Sequence, residues 1–160
     1  MRLAAVLQGR LDMGRYGSLD LGASDYIELH HRMKSKPGDP EIDLLHDYNS
    51  TEFKSKAAAT ASWTRGQWVT SLHVQYSGTS VNSNGSGTVA PFVTWNASER
   101  YSFGGQGAYL QLTANNLLDR HPPADGGIGW PYYNVLNFDG FGRSVFVEFG
   151  MHFGGGEPKS

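Results

Sequence analysis

Ser144-Val145-Phe146-Val147-Glu148-Phe149-Gly150-Met151-His152-Phe153 alternates strictly between apolar and other residues. Val145, Val147, Phe149, Met151 and Phe153 fall on one side of an extended chain; Phe146, Glu148, Gly150 and His152 fall on the other. A period of two belongs to the β-strand, whose successive side chains point to opposite faces.

Reading upstream, the pattern repeats. In Tyr109 to Asn115, Leu110, Leu112 and Ala114 oppose Gln111, Thr113 and Asn115. In Val93 to Phe103 the apolar row is Val93, Trp95, Ala97, Tyr101 and Phe103, broken by Glu99. Trp68 to Tyr76 sets Trp68, Thr70, Leu72, Val74 and Tyr76 against Val69, Ser71, His73 and Gln75. Phe53 to Trp63 sets Phe53, Ser55, Ala57, Ala59, Ala61 and Trp63 against Lys54, Lys56, Ala58, Thr60 and Ser62. Leu19, Leu21, Ala23, Ile27 and Leu29 form a row that Asp25 interrupts, and a first strand falls over Leu3 to Leu11. The expected fold is all-β, an antiparallel up-and-down meander of about seven strands.

Composition narrows the class. A net charge of -2 offers no basic field for nucleic acid. The chain has no cysteine, which excludes disulfides, zinc-finger spacing and thiol chemistry. No run reaches the roughly 18 apolar residues a membrane helix requires. The overall polarity suits a soluble chain, and equally a membrane barrel in which alternate residues face water. The apolar stretch before Gln8 is too short for a secretory signal, so an export signal is expected upstream.

The connections alternate in length. Short ones fall at Gly14–Gly17, Thr64–Gly66 and Gly104–Gly107; long ones are Lys34–Ser50, Ser77–Thr88 and Leu117–Gly142. Outer-membrane barrels sort their connections this way, with turns on the periplasmic side and loops outside. Trp63, Trp68, Tyr101 and Phe103 sit at the short-turn ends of their strands, where a barrel places its interfacial aromatic girdle. Lys54, Lys56, Arg100 and Glu148 fall on polar rows, while Asp25 and Glu99 interrupt apolar ones.

Asn115-Asn116-Leu117-Leu118-Asp119-Arg120-His121-Pro122-Pro123 resembles the late-barrel signature of TonB-dependent outer-membrane receptors. In that family a strand ends in Asn-Leu-Phe-Asp, Pro-Pro follows, and a long extracellular loop leads to Gly-Arg and the closing strand. Leu118 stands where Phe is usual; Gly142-Arg143 and Ser144–Phe153 follow in the expected place. Trp63-Thr64-Arg65-Gly66-Gln67-Trp68 and Val6-Leu7-Gln8-Gly9-Arg10-Leu11-Asp12 resemble other family segments more loosely. The motif also makes physical sense. Asn115 and Asn116 can hydrogen-bond backbone where a strand leaves its sheet, and Pro122 and Pro123 cannot donate to a ladder.

The resemblance implies that residues 1–153 are the C-terminal part of a receptor barrel of about 22 strands, with plug and earlier strands absent. Phe153 would close the terminal signal read by the barrel assembly machinery, and residues 154–160 would form a disordered tail. The implied location is the bacterial outer membrane. The implied partners are outer-membrane lipid, the remainder of the receptor, and the TonB complex acting only through the missing plug. The implied ligand is a siderophore, vitamin B12 or an oligosaccharide, and the chain would not transport it alone. Trp130, Tyr132 and Tyr133, in a loop that also carries Phe138 and Phe141, are the ligand-contact candidates, since exposed aromatic rings suit flat chelates or sugars.

Other motifs carry less. His30-His31 with His46 lacks metal-ligand spacing, and Asp39, Glu41, Asp43 and Asp47 lack the order of a calcium loop. Gly104-Gly105-Gln106-Gly107 precedes no helix and reads as a hairpin turn rather than a phosphate loop. There is no Gly-x-Ser-x-Gly elbow. The expectation is a non-enzyme with no metal and no cofactor. The alternative class is a soluble carbohydrate-binding β-sandwich.

Overall fold

The computed structural model describes residues 1–47, 52–103 and 107–151. Its strands, in chain order, are β1 (Arg2–Asp12), β2 (Ser18–Glu28), β3 (Arg32–Met33), β4 (Ile42–Asp43), β5 (Ser55–Arg65) and β6 (Trp68–Ser77). They continue with β7 (Ser80–Val81), β8 (Thr88–Val89), β9 (Phe92–Phe103), β10 (Ala108–Asn115) and β11 (Ser144–Gly150). The helical content among the described residues is one 3-10 turn at Gly14–Tyr16.

The seven long strands form one sheet in the order β1-β2-β5-β6-β9-β10-β11, every neighbouring pair antiparallel. The fold is therefore all-β and an up-and-down meander, as period two predicts. Among the described residues the sheet is open, with β1 and β11 each presenting one unpaired edge. Tight turns keep long neighbours in register. Arg65 pairs with Trp68 across Gly66 and Gln67, and Gly66 supplies the positive φ (59°) that a two-residue hairpin demands.

Register converts separate rows into one surface. Residues directly opposite each other in a ladder project to the same face. Leu7 lies opposite Ala23, Ala23 opposite Ala59, and Ala59 opposite Val74. Val74 lies opposite Trp95, and on the last strands Leu112 lies opposite Val147. Followed across all seven strands, every apolar row falls on one face and every polar row on the other. A slip of one residue anywhere would transfer a whole row to the wrong face.

The apolar face is bare. Leu7, Leu112, Val147 and Phe149 are exposed, Val147 at 72%. Each such side chain forgoes about 1.5–3 kcal/mol that burial would supply. A β-sandwich needs a second sheet over this face. Besides the seven-stranded sheet, the described residues form only the two-stranded ribbons β3–β4 and β7–β8, so the sandwich alternative lacks its second layer.

The core is small and lies at the long-loop end. Phe53, Val89, Phe92 and Phe138 are buried together, with Phe138 edge-on to Phe53 at 5.6 Å and to Phe92 at 5.4 Å. This corrects the expectation for Phe53. β5 begins at Ser55, so Phe53 leaves the row and joins a loop core instead. The last strand is also shorter than predicted: β11 stops at Gly150, and Phe153 with residues 154–160 lies outside the described residues. Gly104, Gly105 and Gln106 of the third short turn lie outside them too.

Candidate functional site

Three local arrangements meet the residues singled out by sequence. The first is the aromatic band. Trp68 and Tyr101 pair directly across β6 and β9 with ring centroids 4.6 Å apart, and Tyr101 meets Phe103 edge-on at 5.1 Å. Trp63 donates its indole N–H to the Tyr16 carbonyl at 2.8 Å, so its polar edge is satisfied at the turn while its ring stays on the apolar face. All four expected girdle residues thus share one face and one end of the sheet.

A second band was missed. Tyr76 and Trp95 share that face at the opposite end. At about 3.4 Å per residue, Trp68 and Tyr76 stand roughly 27 Å apart along β6. The signal was present in the sequence, since Tyr76 ends its row. Asp25 and Glu99 do lie on the apolar face, as their rows require. Glu99 is engaged there, accepting the Thr70 hydroxyl at 2.6 Å.

The second arrangement is a clasp built from the Asn-Asn-Leu-Leu-Asp motif. Asn115 ends β10 opposite Ser144. Asn116 and Asp119 adopt left-handed backbone (φ 49° and 51°), which these two residue types tolerate. The buried Asn116 amide donates to the Arg120 carbonyl at 2.8 Å, and its oxygen accepts the Arg120 amide at 2.9 Å. Its own backbone N–H donates to Asn96 Oδ1 at 2.9 Å. Asp119 then accepts the amide of Arg143 at 2.8 Å, tying the exit of β10 to the entry of β11. Gly142 is required by this approach, because a Cβ there would lie 2.7 Å from Asp119 Oδ1. Leu117 and Leu118 are exposed, and Pro122 and Pro123 pair with no strand.

The third arrangement is the loop cluster. Asp125, only 3% exposed, accepts the Ser83 amide at 2.9 Å, the Ser83 hydroxyl at 2.7 Å and the Gly127 amide at 3.0 Å. Burial pushes its carboxyl up, but these donors outweigh burial and hold it below the ordinary Asp value. The loops after β6 and β10 are thereby latched together. Sequence reasoning missed Asp125, whose partner lies 42 residues away.

Of the aromatic candidates, Trp130 (86% exposed) and Tyr132 (61%) project into solvent, whereas Tyr133 packs against the loop core. Tyr132 is held at φ 70° by its amide to the Gly129 carbonyl (2.6 Å) and by its carbonyl from the Asp125 amide (2.7 Å). Beneath this loop, on the polar face, lies a half-open cleft of about 770 Å³ between the sheet and the segment Asn137–Arg143.

The histidines resolve differently from the sequence grouping. His31 sits 2.6 Å from Glu52 Oε2 and 3.8 Å from Glu28 Oε1, a spacing a metal ion could bridge. Glu28 is already occupied, by Arg2 Nε at 2.9 Å and by the Tyr26 hydroxyl. In the acidic loop, Glu41 pairs with Arg32 and Lys34, and His46 lies 3.1 Å from Asp43 and holds its carboxyl below the ordinary value.

Comparison with protein-family models, curated proteins and solved structures finds no match to this chain.

Proposed function

We propose that the chain is a section of the wall of an outer-membrane β-barrel of the TonB-dependent receptor type. Its apolar face meets lipid, its polar face meets a water-filled lumen, and its long loops lie outside the cell. The observation that carries this reading is the convergence of seven apolar rows on one uncovered face with aromatic rings at both ends. Water leaves such a face exposed at heavy cost, whereas lipid covers it without a second protein layer. The inward lean of the loops supports the same orientation, since Phe138 packs on Phe92, a polar-row residue.

In this reading the chain is passive. It supplies wall and ligand-gathering loops, and the exposed Trp130 and Tyr132 would touch a siderophore, vitamin B12 or an oligosaccharide. Energy would enter from the TonB complex through a plug that these 160 residues do not contain. The open edges of β1 and β11 cannot remain unpaired in lipid, because each unsatisfied backbone group costs several kcal/mol. They require further strands from the rest of the receptor.

Membrane fractionation and refolding test the proposal. The chain is expected in the outer-membrane or aggregated fraction, and to gain strand structure only with detergent micelles. A stable, soluble monomer in plain buffer would sink it.

A further inference from the structure

The cleft on the polar face has a chemistry that neither the wall nor the exposed aromatics explain. Register places Gln75 directly opposite Thr94 and Asn115 directly opposite Ser144, so these neutral side chains form its floor across four adjacent strands. Adjacent strands are about 4.8 Å apart. None of these four side chains is hydrogen-bonded within the described residues. Phe141 and Phe146 are exposed and present flat apolar surface at the same cleft. The charged lining consists of one Arg143 and one Asp139, which balance.

We infer that this cleft binds an uncharged, polyhydroxylated ligand, a short neutral oligosaccharide. Sugar hydroxyls both donate and accept, and so do the amides and hydroxyls of the floor. The C–H face of a sugar ring packs on an aromatic plane, which the two phenylalanines provide. An anionic iron chelate would instead call for a surplus of Arg and Lys to offset its charge, and the lining has none. The volume falls within the range of pockets that hold small ligands. This inference rests on the proposed reading, in which the polar face is a wetted wall, and it chooses among the ligand classes that reading left open.

The test uses the full chain folded in detergent micelles, with strand content checked by circular dichroism. Maltotriose and cellotriose are titrated as neutral probes and ferric citrate as an anionic one, each at low and high salt. Saturable binding of a neutral trisaccharide, unchanged by salt, is expected. Asn115→Ala and Phe146→Ala should each weaken it by about tenfold, the loss when a ligand group faces a missing partner. Two variants on different strands guard against one failing to fold. Salt-sensitive binding of ferric citrate alone, or no binding by a chain that folds and requires detergent, overturns the cleft inference and leaves the wall proposal standing. A chain that folds as a monomer without detergent removes the wall proposal and this inference with it.

Discussion

Asp119 holds the backbone amide of Arg143, 24 positions further along the chain, at 2.8 Å. One carboxylate therefore sets where β11 begins relative to the end of β10. Asp119→Ala should destabilise the folded chain by about 1 kcal/mol, the net value of one lost hydrogen bond. Gly142→Ala should do comparable or greater damage by pushing a methyl group against the same oxygen. Urea unfolding in micelles measures both; an unchanged midpoint for Asp119→Ala would show that the clasp does not support the strand pair.

Asn116 combines a left-handed backbone with two side-chain bonds to Arg120. Asn116→Asp keeps the accepting oxygen and loses the donor. Asn116→Ala loses both bonds and strains the backbone as well. The expected order of stability is the native chain, then Asn116→Asp, then Asn116→Ala, read from the same unfolding curves. Equal midpoints for the two variants would refute the assigned role of the side chain.

The two faces of β10 offer a paired comparison. Leu112 lies on the apolar face and Gln111 on the polar one. Leu112→Arg should cost about 2–4 kcal/mol if the apolar face meets the middle of a lipid layer, and Gln111→Arg close to nothing. Refolding midpoints into lipid vesicles, measured with the strands that complete the barrel present, decide it. Similar costs for both substitutions would mean the faces are not differently solvated.

Acid should loosen the loops through Asp125. Its folded carboxyl titrates below the ordinary Asp value because Ser83 and Gly127 donate to the ionised form against the effect of burial. A depressed carboxyl contributes stability that is fully present above its unfolded value of about 3.9 and is lost as pH falls through the lower folded value. Hydrogen exchange at the Ser83 and Gly127 amides should accelerate across that acid window. Asp125→Asn should flatten the dependence; an unaltered acid response in that variant would place the titration elsewhere.

Much of the sheet was legible because its rows are local. Leu110, Leu112 and Ala114 disclose a face within one strand, and hairpins as short as Gly66-Gln67 leave little freedom for register. What the rows could not disclose is that all of them meet on one side, since that depends on pairing between strands. Phe53 was misplaced because period two continued past the point where hydrogen bonding starts. Its true neighbours, Phe92 and Phe138, lie far along the chain. The clasp was half legible: Asn and Asp announce a turn, but not that Asp119 reaches Arg143. The cleft was invisible beforehand, because its floor joins residues of four strands that no single window contains.

Among the described residues the sheet contains an odd number of long strands, seven, all antiparallel to their neighbours. Its two outer strands, β1 and β11, consequently point the same way. Sewing those margins together directly, or joining identically oriented copies into a ring, would produce a parallel seam at every junction. A wholly antiparallel cylinder must insert an odd complement between them, which makes the finished count even, as bacterial barrels have it. Parity alone thus bars this chain from closing such a cylinder by itself or with replicas of itself standing the same way up.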